Sequence, residues 1–255
     1  MDSLQHIVLT TKPTAQISYT FHPPAPFKNT KNILLVFLNG LGLPKPADLP
    51  GILTYDRYGQ GAAADRDPKN PDAHDCLDVV TDLRQLLTQL AAEKLEIADL
   101  DEVKVIFVAN SIGCAFARLY AQEYPGTVAG LVLLDSVLAN SDFVSIFPDP
   151  DVADFDQALL PENITPEILR ATRARVRAIC HPVDGQGVRP VELSMAYVNP
   201  FWKTYNEGLV KTTQAKRAKG PVIAEGAGHF VQKDRPDMVV KEIVEILGRV
   251  YGDAQ

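Results

Sequence analysis

The chain of 255 residues predicts an α/β fold: a mostly parallel sheet flanked by helices, interrupted once by a long insertion. Three observations carry that prediction. Short β-branched apolar runs such as Ile33–Leu38 and Val105–Ala109 read as strands buried on both faces. Segments with apolar residues at helical spacing alternate with them. The alternation stops at Val137 and resumes only near Pro221, so residues 137–218 are expected to form a cap or lid inserted into a core of residues 1–136 and 219–255.

Taken in order, Ile7–Thr10 and Gln16–Phe21 read as two amphipathic strands, joined through the Pro-rich His22-Pro-Pro-Ala-Pro26 to Ile33–Leu38. Ile52–Tyr55 is a short strand ending in Asp56-Arg57-Tyr58-Gly59-Gln60-Gly61. Leu77, Val80, Leu83, Leu87 and Leu90 recur at helical spacing and predict a helix over 73–93. Val105–Ala109 and Leu131–Leu134 are buried strands, with an Ala-rich helix from Ile112 stopped by Pro125 between them. The insertion predicts two short helices, Pro166–Ile179 and 206–219. Pro221–Glu225 predicts a last strand, and a closing helix starts at Pro236 with Val239, Val240, Ile243, Val244 and Leu247 on one face.

Composition narrows the function classes. A net charge of −7 and a pI near 5.2 argue against a nucleic-acid partner. No apolar run approaches membrane-spanning length, and the first residues lack the pattern of a signal peptide, so a cytoplasmic protein with no membrane partner is expected. Three widely spaced cysteines suggest neither a disulfide framework nor a Cys-x-x-Cys site. The histidines show no zinc-ligand spacing, and His74-Asp75-Cys76 reads as a solvated helix start, so neither metal nor cofactor is expected.

The chemistry concentrates at Ala109-Asn110-Ser111-Ile112-Gly113, a small-x-Ser-x-small segment between strand and helix. A nucleophile on so sharp a turn needs neighbours two residues away with almost no side chain, because backbones crowd there. The helix start also aims N–H groups at the place where negative charge develops. Ser111 alone reads equally well as an ordinary helix N-cap. Two further loops change the balance: Asn39-Gly40-Leu41-Gly42 after the first parallel strand, and Gly226-Ala227-Gly228-His229-Phe230 after the last. Parallel strands send all three loops to one edge. There His229 can take the Ser111 proton, while the Leu41 and Ile112 backbone N–H groups can hold an oxyanion.

These pieces, in this order, resemble the α/β-hydrolases over most of the chain: Phe37–Gly42, Asp56–Gly61, Ala109–Gly113, Leu131–Asp135, and Gly226–Phe230 with Arg235-Pro236-Asp237. Tyr55–Gly61 and Asn199–Gly208 also resemble a group of fungal α/β-hydrolase-like proteins. The chain departs from the family's usual wording at Asn39, where His is common, and at Ala109, where Gly is common. Its connection from Gly40 to Gly51 is short and carries three prolines. The resemblance implies a catalytic acid, commonly after a seventh strand and in some members after the sixth. Asp135 is the first candidate and Asp184 the second, with Asp135 as a simple turn cap the plain alternative.

Phe143, Phe147, Trp202 and Tyr205 in the insertion, with Asn39, are the expected substrate-binding residues; the rings read equally as packing. The expected function is a serine hydrolase cleaving an ester or lactone of a hydrophobic small molecule through an acyl-enzyme. Acyl transfer, lyase or cyclase chemistry of secondary metabolism on the same site, and a non-catalytic binding protein, are the alternatives. A homodimer is left open.

Overall fold

The computed structural model describes residues 3–25, 32–38, 50–71, 76–136, 146–179 and 199–252. The chain divides into two compact units, one of residues 1–137 and 224–255, the other of residues 138–223.

The first unit is built on one sheet. Its described strands are β1 (Gln5–Leu9), β2 (Lys12–His22), β3 (Ile33–Leu38), β4 (Gly51–Asp56), β5 (Lys104–Asn110) and β6 (Val128–Leu134), in the spatial order β1-β2-β4-β3-β5-β6. β2 runs antiparallel to β1 and β4, whereas β4, β3, β5 and β6 are mutually parallel. From β3 the chain moves to one side for β4, then returns through helix α1 (Cys76–Leu90) to the other side for β5. The order therefore reverses between β3 and β5, where loops leaving the strand ends diverge and sheets of this kind open a crevice for ligands.

Period-two alternation divides the strand side chains between two cores. Leu34, Val36 and Leu38 of β3, with Val105, Phe107 and Ala109 of β5, face α1 and helix α2 (Ile112–Glu123). Ile33, Leu35, Phe37, Ile106 and Val108 face the opposite side, where helix α6 (Pro236–Gly252) packs. Every residue of β3 is buried, as its uninterrupted apolar wording requires.

Several expectations are corrected here. α1 gives way after Leu90 to a π-helical turn over Ala91–Leu95. Leu77 at its start is half-exposed rather than part of the buried stripe. On α6, Val239, Ile243 and Leu247 repeat every four residues and meet the sheet, and Val244, one residue round the helix, faces solvent. The strand expected at Pro221–Glu225 does not form: the segment pairs with no strand among the described residues, and Ile223 is 83 % exposed. Its apolar wording passed for a buried strand, but a short run becomes one only beside a partner.

In the second unit, helix α3 (Pro166–Ile179) forms with the bounds expected. The helix expected over 206–219 instead spans Asn199–Leu209 as α4, followed by a 3-10 turn over Val210–Thr212. Asn199-Pro200 supplies a start signal, since proline is pre-shaped for the first helical turn. The pair Thr212-Thr213 disfavours continuation. The unit has its own core of Ile146, Phe147, Ile164 and Leu169, against which Phe155, Trp202 and Tyr205 pack.

One feature of the first unit had no signature in the wording of the chain. Lys12, at the start of β2, places its ammonium 2.5 Å from Asp67 and 2.7 Å from Asp82. Lys12 is 5 % exposed and Asp67 fully buried. Burial by itself would lower the lysine pKa and raise that of Asp67. The mutual hydrogen bonds, with the Lys69 N–H also donating to Asp67 (2.9 Å), overcome burial, so Lys12 lies above its ordinary value and Asp67 below.

Candidate active site

β5 delivers the chain to Ser111 at the end of the sheet, and α2 leaves from it immediately. Ser111 adopts φ 54° and ψ −122°, a backbone conformation that L-residues rarely take. Its side chain makes no capping hydrogen bond, so the ordinary N-cap role does not account for it. The neighbours explain how the turn is tolerated. Ala109 is buried in β5, and a Cβ built on Gly113 would lie 2.7 Å from the Leu38 carbonyl oxygen. Gly113→Val is accordingly expected to force α2 away from β3. We expect a loss of roughly 1–3 kcal/mol in urea denaturation, with loss of any reactivity at Ser111.

Asp135 follows β6 and also takes a positive φ of 42°. The carbonyl just before it, on Leu134, accepts hydrogen bonds from the Ser111 N–H (3.1 Å) and the Asn110 side-chain amide (3.1 Å). His229 arrives from the opposite end of the chain. Its loop is held by a hydrogen bond from the Gly228 N–H to Asp234 (2.8 Å) and one from the Asn110 amide to the His229 carbonyl (2.9 Å). The short helix α5 (Val231–Asp234) then leads into α6.

With the loop so held, His229 Nδ1 lies 2.6 Å from Asp135 Oδ2. A carboxylate only accepts, so Nδ1 carries the proton and Nε2 is left as the acceptor. Both side chains are partly exposed. Among the described residues no hydrogen bond joins the Ser111 hydroxyl to the His229 ring; such bonds are often long before substrate binds. The Ile112 N–H stands at the head of α2, where the first amides of a helix lack partners within it. Two apolar side chains next in sequence to these groups meet solvent: Ile112 is 37 % exposed and Phe230 50 %.

The other expected residues fall differently. Asn39, Leu41, Phe143 and the alternative acid Asp184 lie outside the described residues, as do His74 and Asp75. Phe147 is only 1 % exposed and is a core residue of the second unit, with Trp202 and Tyr205 packed beside it. Asp56 accepts a hydrogen bond from the Ala62 N–H (2.9 Å), tightening the turn after β4. Cys114 is buried behind the Ser111 turn, its thiol donating to the Ala109 carbonyl (3.2 Å), and burial pushes its pKa up to about 12. It is no competing nucleophile. Among the described residues no three His, Cys, Asp or Glu side chains cluster so as to hold a metal, and no helix is long and apolar enough to cross a membrane. Asn110 was missed as a functional candidate; the signal was present, a polar residue ending an otherwise apolar strand.

Residues 35–242 match the family model described as "Alpha/beta hydrolase family". Among solved structures, the chain is similar to a loop variant of the haloalkane dehalogenase DbeA from Bradyrhizobium elkanii, at 17 % identity and TM-score 0.57, covering 100 % of this chain and 99 % of that one. It is also similar to a thermophilic esterase from Thermogutta terrifontis, at 18 % identity and TM-score 0.54, covering 97 % and 99 %. At these identities the likeness concerns the fold. No curated protein sequence matches the chain significantly.

Proposed function

The chain belongs to the alpha/beta hydrolase family, and from that premise we propose that it is a serine hydrolase acting on an ester or lactone of a hydrophobic small molecule. The observation that carries this reading is the 2.6 Å contact of His229 with Asp135, on the sheet edge that also bears the strained Ser111 turn.

The Ser111 oxygen attacks the substrate carbonyl carbon while His229 Nε2 accepts the hydroxyl proton. The resulting oxyanion is held by the Ile112 N–H and by that of Leu41. Asp135 keeps the ring in the required tautomer and stabilises its protonated form. The alkoxy group leaves with the proton from Nε2, and a covalent acyl-Ser111 remains. Water, deprotonated by the same nitrogen, then attacks the acyl carbon, releases the acid and returns the proton to Ser111. The half-exposed Phe230 and the partly exposed Ile112 favour an apolar acyl or alcohol group near these atoms.

A panel of p-nitrophenyl esters and small lactones tests the reading. Wild type is expected to turn over at least one of them with a burst of acylation. Asp135→Asn is expected to lower kcat by up to about 10⁴-fold, because the amide no longer fixes the tautomer. Wild type that hydrolyses none of the panel and resists a fluorophosphonate probe overturns it.

A further inference from the structure

We propose that Asn110 is a positioning residue: its side-chain amide locks the loops of Asp135 and His229 to the turn that bears Ser111. The proposal rests on the catalytic reading above and extends it to a residue that touches none of the reacting atoms.

Asn110 is the last residue of β5 and is buried. An amide in such a place is costly unless its hydrogens find acceptors. Nδ2 carries two, and each has a partner: the Leu134 carbonyl at 3.1 Å and the His229 carbonyl at 2.9 Å. Both partners can only accept, which dictates how the amide is turned. The two carbonyls lie 24 and 119 residues away along the chain, so one small group joins segments that are remote in sequence.

Position makes the bridge consequential. Leu134 directly precedes Asp135, and its carbonyl also takes the Ser111 N–H, so elbow and acid loop share one oxygen as a fixed point. The other hydrogen bond is to the backbone of the histidine itself. Among the described residues, no other hydrogen bond holds the His229 carbonyl. Releasing it lets the imidazole drift relative to both Asp135 and Ser111, and a displacement of about 1 Å in such an array costs on the order of 10²-fold in rate. An apolar side chain at 110 would suit the packing of β5 and could not make this connection.

The test compares Asn110→Leu and the smaller Asn110→Ser in the full-length protein, each in wild-type and Asp135→Ala backgrounds. With a p-nitrophenyl ester, Asn110→Leu is expected to lower kcat by about 10²-fold and leave KM nearly unchanged. In the Asp135→Ala background its further effect is expected to be small, since the pair it aligns is already broken. The low-field NMR resonance of the imidazole proton shared with Asp135 should be present in wild type and lost in Asn110→Leu. Wild-type kcat in Asn110→Leu, or the same fold-loss in both backgrounds, overturns the proposal. If neither variant folds, the wild-type protein decides: both Asn110 side-chain amide protons should be protected from solvent exchange, and rapid exchange of either overturns it. Absence of any esterase activity in wild type would instead count against the proposed function, and the two NMR measurements would still judge the positioning role.

Discussion

Ser111→Ala is expected to abolish covalent labelling by a fluorophosphonate and to lower kcat for a responsive ester by about 10⁶-fold, the scale on which removal of a serine nucleophile acts. The loss should appear without a comparable change in denaturation midpoint. Ser111 makes no capping hydrogen bond and holds a strained φ of 54°. A smaller side chain on the same backbone therefore leaves the fold intact. Labelling that survives the substitution would remove Ser111 from the mechanism. Turnover in ¹⁸O-labelled water separates hydrolysis from the other chemistries open to such a site. Hydrolysis places the label in the released acid, whereas acyl transfer, cyclisation or a lyase reaction leaves the products unlabelled.

The second large effect concerns stability. Lys12→Met is expected to destabilise the first unit by about 3–5 kcal/mol in urea denaturation, since Asp67 would be left as an uncompensated buried charge. Replacing the charges together, in Lys12→Met/Asp67→Leu/Asp82→Leu, should recover most of that loss, because a buried ionic group is often no more stable than apolar residues of similar size. A single-variant loss under about 1 kcal/mol would show that Asp67 is not desolvated as the geometry implies.

The pH dependence has a definite sign. Asp67 lies below its ordinary value when folded, so its stabilisation is present above that value and lost as the pH falls through the lowered one. Lys12 lies above its ordinary value, so its share is present below that value and lost as the pH rises through the raised one. Asp82 is held up by burial, which its bond to Lys12 only partly offsets; its charge therefore costs stability at neutral pH, and its protonation moderates the acid loss. Stability should therefore be broad through neutrality and fall towards both extremes.

How much was legible in the wording of the chain follows from the range of the forces involved. β3, β5 and β6, the first-turn proline of α6 and the small-x-Ser-x-small elbow are local patterns, and local sterics and periodicity suffice to place them. Asp135 rested on weaker ground, a lone acid after a strand with an alternative at Asp184. Its 2.6 Å approach to His229 is visible only in the folded chain, and Asp184 lies outside the described residues. The strand expected at Pro221–Glu225 failed for the converse reason, since apolar wording cannot supply a neighbouring strand to pair with.

By itself, then, the sequence determined β3, β5, β6, α2 and α6 of the parallel core and the small-x-Ser-x-small turn between β5 and α2, because those patterns depend on neighbours a few residues away. The tertiary structure alone decided that Asp135 lies 2.6 Å from the His229 ring, that Asn110 bridges carbonyls 24 and 119 residues distant, and that Lys12 lies between two carboxylates. Hydrogen bonds and buried charges act over a few ångströms in space. Separation along the chain says nothing of such distances until the sheet has closed them.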